Sequence, residues 1–263
     1  MSKSKGNVID PLEMTERYGT DAFRFTLIAF AAQGRDIKMS AERIEGYRNF
    51  ANKLWNASRF VMMNLEEHFS PNTEAVNDHS TPADRWIVSR LQTIIHEVSS
   101  ALEEYRFNDA ASSLYQFIWH EFCDWYVEMS KGALKSGDPL VRKSTQTALV
   151  AVLESTLRLL HPIMPFITEE IWQKLPAGIR GKAGSIMISP YPKADESLIN
   201  GESERYIKPS MDINLSLRNI RGEMKIPPSA RPDVIIRPET EEARRILEET
   251  KNYIAALSGL SQV

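Results

Sequence analysis

The stretch Ile44-Glu45-Gly46-Tyr47-Arg48-Asn49-Phe50-Ala51-Asn52-Lys53-Leu54-Trp55-Asn56-Ala57-Ser58-Arg59-Phe60-Val61-Met62-Met63-Asn64-Leu65 carries two interleaved patterns. Ile44, Tyr47, Ala51, Leu54, Ser58, Val61 or Met62, and Leu65 return at steps of three and four. That is the period of an α-helix of about seven turns, roughly Ser40 to Glu66, with one packing stripe along it. Asn52, Lys53, Asn56, Arg59, Phe60 and Met63 recur at the same steps beside it and form a second face that packing does not need. Two amides, two cations and an aromatic ring match the chemistry of unpaired RNA bases, whose edges bond amides and charges and whose planes stack on rings or guanidinium groups. A solvated helix face, with Phe60 packed on a neighbour, has the same spacing.

Helices extend on both sides of this one. Upstream, Asp10-Pro11-Leu12-Glu13 sets a capping box for a short helix to Tyr18, stopped by Gly19. Thr20-Asp21 is expected to cap a second, in which Phe23, Phe25, Leu27, Ile28 and Phe30 point in every direction, as in a segment buried on most sides. Downstream, beyond a polar loop at 70–82, a helix from Pro82 to Arg106 places Trp86, Leu91, Ile94, Ile95, Val98 and Leu102 inward. The next, Phe107 to Lys131, carries Leu114, Phe117, Ile118, Phe122, Trp125 and Met129 on one side, with Tyr115, Trp119 and Tyr126 as a second aromatic stripe, which makes it the central helix. Gly137-Asp138-Pro139 opens a sixth that runs to Pro162, and Pro165 opens a short seventh. Long helices on short loops imply antiparallel neighbours, so 36–176 reads as a helical bundle. Residues 177–184 read as a flexible basic linker. In 185–263, β-type runs at Ile186-Met187-Ile188 and Val234-Ile235-Ile236 alternate with helical stretches near 202–224 and 240–257, which suggests a small α+β domain. The expected fold is therefore mainly α, a bundle with an α+β appendage, truncated at Val263 where no further strand follows.

Composition narrows the function classes. At 263 residues, 42% hydrophobic and 25% charged, the chain holds one large or two medium cores, which excludes disorder. Its longest apolar run, about eight residues from Phe25 to Ala32, is far below the roughly 18–20 that cross a bilayer. Met1-Ser2-Lys3-Ser4-Lys5-Gly6 has no apolar segment after its lysines, so it does not read as a secretory signal and the cytoplasm is the expected compartment. A single cysteine, Cys123, and five scattered histidines offer neither a disulfide nor a metal site. The net charge of −3 by itself argues against nucleic acid. No nucleophile–base pair, carboxylate dyad or phosphate-cradling glycine loop points to a free-standing enzyme.

Longer blocks resolve this tension. Met1-Ser2-Lys3-Ser4-Lys5-Gly6-Asn7-Val8-Ile9-Asp10-Pro11 resembles the tail of the KMSKS signature of class I aminoacyl-tRNA synthetases, without its opening lysine. Tyr18-Gly19-Thr20-Asp21-Ala22-Phe23-Arg24-Phe25 is similar to the segment after that signature in the valine, isoleucine and leucine enzymes. Gly34-Arg35-Asp36-Ile37, Arg48 to Phe60, Glu121-Phe122-Cys123-Asp124-Trp125-Tyr126-Val127-Glu128, and His161 to Trp172 resemble the valyl-tRNA synthetase family in its own order.

The resemblance covers nearly the whole chain and implies a piece of a longer ligase. It would run from the catalytic loop and stem-contact helices (1–35) through the anticodon-binding bundle, with the nucleotide-binding and editing domains elsewhere. ATP with magnesium would then serve the whole enzyme, and this piece would bind neither cofactor nor metal and would not activate valine alone. Lys3 is implied to meet the ATP phosphates, with Ser2 and Ser4 beside it. Lys53, Asn56, Arg59 and Phe60, with Asn52, are implied to lie at the anticodon of valine tRNA. Neither DNA nor a membrane is an expected partner, and a monomer is. Glu121, Asp124 and Glu128 follow at i, i+3 and i+7, and fit either acceptors orienting Lys53 and Arg59 or ion pairs that fix the bundle. Arg218, Arg221 and Lys225, near Arg231, could grip the tRNA backbone or simply be solvated. Cys123, Trp119, Trp125 and Trp172 read as core, and His161 as a helix-terminal histidine bonded locally. The rival readings are the same region of an isoleucyl- or leucyl-tRNA synthetase and a helical protein-binding scaffold.

Overall fold

A computed structural model describes residues 9–31, 39–65, 69 and 79–263. Its elements are α1 (Pro11–Tyr18), α2 (Thr20–Ala29), α3 (Ala41–Met63), α4 (Pro82–Glu103), α5 (Phe107–Tyr115), a π-helical stretch (Gln116–Tyr126) continuing into α6 (Val127–Leu134), α7 (Pro139–Leu160), α8 (Pro165–Gln173), the single turn α9 (Ala177–Arg180), α10 (Gly201–Glu223) and α11 (Glu241–Ser258). The mainly helical bundle stands as read.

Its boundaries follow from local chemistry. Asp10 accepts from the Leu12 N–H at 2.9 Å with Pro11 at the first position of α1, and Gly19, at φ 90°, ends that helix in backbone space closed to other residues. The reciprocal capping box is made at α4, where Asp84 N–H donates to Thr81 Oγ1 (3.2 Å) and Thr81 N–H to the Asp84 carboxylate (3.0 Å). Asp84 is itself buried, and it also accepts from Tyr126 Oη (2.6 Å) and Thr145 Oγ1 (2.8 Å). One carboxylate thus ties the start of α4 to the central helix and to α7.

The main core cluster is built on the central helix, where Leu114, Phe117, Ile118, Phe122 and Tyr126 are fully buried, and a second, small cluster joins Tyr18, Ala22 and Ile44 where α1, α2 and α3 meet. Around the central helix pack α3, α4, α7 and α8. The packing stripe of α3 is Ile44, Phe50, Leu54, Ala57, Ser58 and Val61. Phe50 and Ala57 take places that the three-four reading gave to Tyr47 and Ala51, which are half-buried. Ser58 satisfies its hydroxyl on the Leu54 carbonyl (2.8 Å), which makes a polar group tolerable there.

Several expectations change. Thr20-Asp21 does not cap α2; the buried Asp21 carboxylate accepts from the Phe166 and Ile167 N–H groups (3.3 and 2.6 Å) at the start of α8. Arg24 completes this clasp by donating to the Ile163 and Pro162 carbonyls, each at 3.0 Å. Only Ala22 and Phe25 among the apolar residues of α2 are fully buried, and Leu27 faces solvent. The 177–184 segment is ordered around α9, with Arg180 Nε bonding the Leu175 carbonyl (3.0 Å) and Gln173 bonding that of Gly184 (2.8 Å).

The α+β appendage is not seen: among the described residues there is no sheet. Ile186–Ile188 is a 3₁₀ turn held by Ser185, whose Oγ accepts from Met187 N–H. Residues 231–238 alternate in exposure as a strand does, yet pair only through one bridge, Asp233 with Gln262. Both runs have β-type side chains and lack a partner strand, so propensity had nothing to pair with. The two helices of this region form as expected. α10 packs along α4, contributing Ile207 to the main core, and α11 packs on α10 and reaches α6.

Candidate nucleic-acid interface

The second face of α3 is open. Asn52, Asn56 and Arg59 are exposed, Met63 is 79% exposed, and Lys53 and Phe60 are half-buried beside them. Asn52, Asn56 and Arg59 have no hydrogen-bond or ion-pair partner among the described residues. Cations from neighbouring helices lie over its rings: Lys131 Nζ is 5.8 Å from the Phe60 ring centre, and Lys174 Nζ is 5.7 Å from that of Trp55. Both lysines also pair locally, Lys131 with Glu128 (2.7 Å) and Lys174 with Glu170.

The three carboxylates of the central helix have separate partners. Glu121 receives a two-pronged bond from Arg90 of α4 (2.8 and 3.0 Å), which fixes the bundle. Glu128 serves Lys131. Asp124 alone turns to α3, pairing with Lys53 through one oxygen while His120 Nδ1 lies 3.3 Å from the other. Lys53 Nζ also sits 4.0 Å from the centre of the Trp119 indole. Trp119, expected in the core like Trp125 and Trp172, is half-buried and stacks on Tyr115 (5.6 Å, 18°). Asp124 is thus an acceptor for Lys53, one of the two roles its spacing allowed, whereas the share of Trp119 in this face escaped the sequence reading because Trp119 and Asp124 are five residues apart, which is no face of an α-helix. Burial pushes the Cys123 thiol up to about 12, so no thiolate competes for Lys53.

Elsewhere the candidates fare differently. Ser2, Lys3 and Ser4 lie outside the described residues. Arg221 bonds three backbone carbonyls, those of Ser258 (3.2 Å), Pro227 (2.9 Å) and Ala230 (3.1 Å), which closes the corner between α10 and α11. The Arg218 guanidinium lies 4.9 Å from the Trp125 ring centre, and Lys225 is exposed on a left-handed turn at φ 52°. His161 Nδ1 lies 2.7 Å from Thr168 Oγ1, the local partner expected, and burial holds its pKa below the usual value. No group of His, Cys, Asp and Glu among the described residues could hold a metal ion, and none of their helices is long and apolar enough to cross a membrane.

A profile described as the anticodon-binding domain of tRNA ligase matches residues 84–236, and one of class I tRNA synthetases (I, L, M and V) matches 1–40. The valine–tRNA ligase of Syntrophotalea carbinolica is 50% identical over 264 residues, and that of Geobacter sulfurreducens 52% over 267. Each comparison covers 100% of this chain and 29% of the ligase, so the chain spans less than a third of these relatives' length. Among solved structures, a LeuRS of Agrobacterium radiobacter K84, in a ternary complex with tRNA and LeuAMS, superposes with a TM-score of 0.59 at 23% identity. That likeness, over 76% of this chain and 23% of the other, is one of fold.

Proposed function

Because the chain belongs to the anticodon-binding domain family of tRNA ligases, we propose that the open face of α3 reads the anticodon of valine tRNA, as the recognition part of a valine–tRNA ligase. The observation that carries this reading is the exposed row Asn52, Asn56 and Arg59, polar groups at helical spacing without protein partners among the described residues and flanked by the Phe60 ring. Amides bond base edges, a guanidinium bonds or stacks, and a ring half out of the core offers a plane to a splayed base. Identity of 50% and 52% to valine–tRNA ligases over the whole chain supports the choice of tRNA.

In the whole ligase, valine and ATP, accompanied by magnesium, form valyl-adenylate, and the acyl group passes to the tRNA 3′ end. There Lys3, with Ser2 and Ser4, meets the ATP phosphates, where fixed positive charge compensates the pyrophosphate as it leaves. The chain is read as a cytoplasmic monomer that contributes recognition rather than bond-making. Arg218 and Lys225 are proposed as outlying contacts to the tRNA backbone, and Arg221 as the group that holds their corner.

Titration with valine tRNA and with a version carrying a swapped anticodon tests the reading. A clear preference for the valine anticodon, lost in Asn52→Ala and Asn56→Ala, is expected at about 1–3 kcal/mol for each base contact. Equal affinities end the anticodon claim, and no binding even at low salt favours a protein-binding scaffold.

A further inference from the structure

We propose that Trp119 and Asp124, brought onto one face by the π-helical stretch, hold Lys53 as a charge-compensated hydrogen-bond donor to the edge of an unpaired base, and not as a counter-ion to phosphate. The proposal rests on the anticodon reading above and assigns two positioning residues and a mode of contact to the same face.

The register is the first step. In an α-helix, residues five apart point about 140° away from each other, so Trp119 and Asp124 could not both reach one lysine. Where the backbone bonds run i to i+5, the wider turn brings such residues much closer around the axis, onto neighbouring parts of one face. Gln116–Tyr126 is π-helical, and both side chains meet Lys53, the indole at 4.0 Å from Nζ and the carboxylate in an ion pair. The indole is held by its stack on Tyr115 and by Phe50, 6.4 Å away at 23°. Asp124 serves this task with one oxygen, its other lying 3.3 Å from His120 Nδ1, while Glu121 is taken by Arg90.

Charge is the second step. Binding through phosphates releases counterions in proportion to the uncompensated cations that arrive. Lys53 arrives already paired, with its side chain 25% and that of Asp124 36% exposed. Its ammonium keeps donors beyond the one given to Asp124, and these suit a base carbonyl or ring nitrogen. Arg59, exposed and without an ion pair among the described residues, is the phosphate-type cation of the face.

The test measures affinity of the chain for valine tRNA and its anticodon-swapped version across a salt series. Lys53→Met together with Asp124→Asn, which removes both charges of the pair, is expected to weaken valine tRNA binding by at least about 5-fold with the salt slope unchanged, whereas Arg59→Ala reduces the slope by about 0.7. Asp124→Asn, nearly the same shape, releases the ammonium: the slope steepens, the swapped tRNA binds more tightly, and discrimination shrinks. Lys53→Gln, a neutral donor, keeps more discrimination than Lys53→Met. Helical circular dichroism and melting curves confirm that each variant is folded. A slope reduced in the Lys53→Met, Asp124→Asn double variant as in Arg59→Ala, or an Asp124→Asn variant identical to the unaltered chain, overturns this assignment alone. Equal affinity of the unaltered chain for both tRNAs overturns the anticodon reading and this assignment with it.

Discussion

Tyr126 and Asp84 meet in the interior, where the phenol donates to a carboxylate that also accepts from Thr145 and Thr81. Burial raises the carboxyl's pKa, and the donors around it act in the opposite direction. Tyr126→Phe removes one donor and leaves the acceptor buried, so a loss of about 1–3 kcal/mol is expected in urea unfolding, and Tyr126→Phe with Asp84→Asn should cost less than the sum of the singles. The two titratable groups near the α2–α8 clasp act with opposite sign. His161 has a lowered pKa, chiefly from burial, so below its unfolded value of about 6.5 the unfolded chain binds more protons and stability falls with falling pH. Asp21 has a raised pKa, again chiefly from burial, so stability from this group rises as pH falls through its folded value toward the unfolded one of about 3.9. Unfolding measured between pH 7.5 and 5.5 should therefore show a loss that His161→Gln flattens and Asp21→Asn does not.

At the level of elements, Arg221 spans the corner between α10 and α11 through three carbonyls. Arg221→Ala should lower amide protection at 229–231 and 258–260 in hydrogen exchange while changing tRNA affinity less than Arg59→Ala does. The helices themselves were legible in the sequence because proline, aspartate and glycine punctuate them: Pro11, Pro82, Pro139 and Pro165 each stand at a first helical position, as read. The open face of α3 was legible for the same periodic reason. Three things were not. The β-type runs near Ile186 and Val234 depended on partner strands that no local pattern reports. The caps were misassigned at Asp21, whose N–H partners lie 145 and 146 residues away. The π-helical stretch looks in sequence like any aromatic helix, since its extra residue per turn follows from packing on several sides at once, and Trp119 was therefore placed in the core.

Across the whole molecule, the net charge of −3 is compatible with the proposed RNA-reading role of the α3 face, because the acidic groups beside it are already paired, Asp124 with Lys53 and Glu128 with Lys131. The C-terminal helices are seated on the bundle rather than tethered beside it, with Ile207 in the common core. Ile207→Ala should consequently cost about 2–5 kcal/mol and leave one unfolding transition when followed by fluorescence and by circular dichroism. The double clasp of Asp21 and Arg24 on the corner between α7 and α8 has a mechanical consequence. Two separated attachment points resist rotation in a way that one cannot, so α2 has no free hinge against the bundle and behaves as a crank fixed to it. In the proposed complex with an anticodon loop, a tilt of the bundle would therefore carry α1 and α2 with it rather than bend between them.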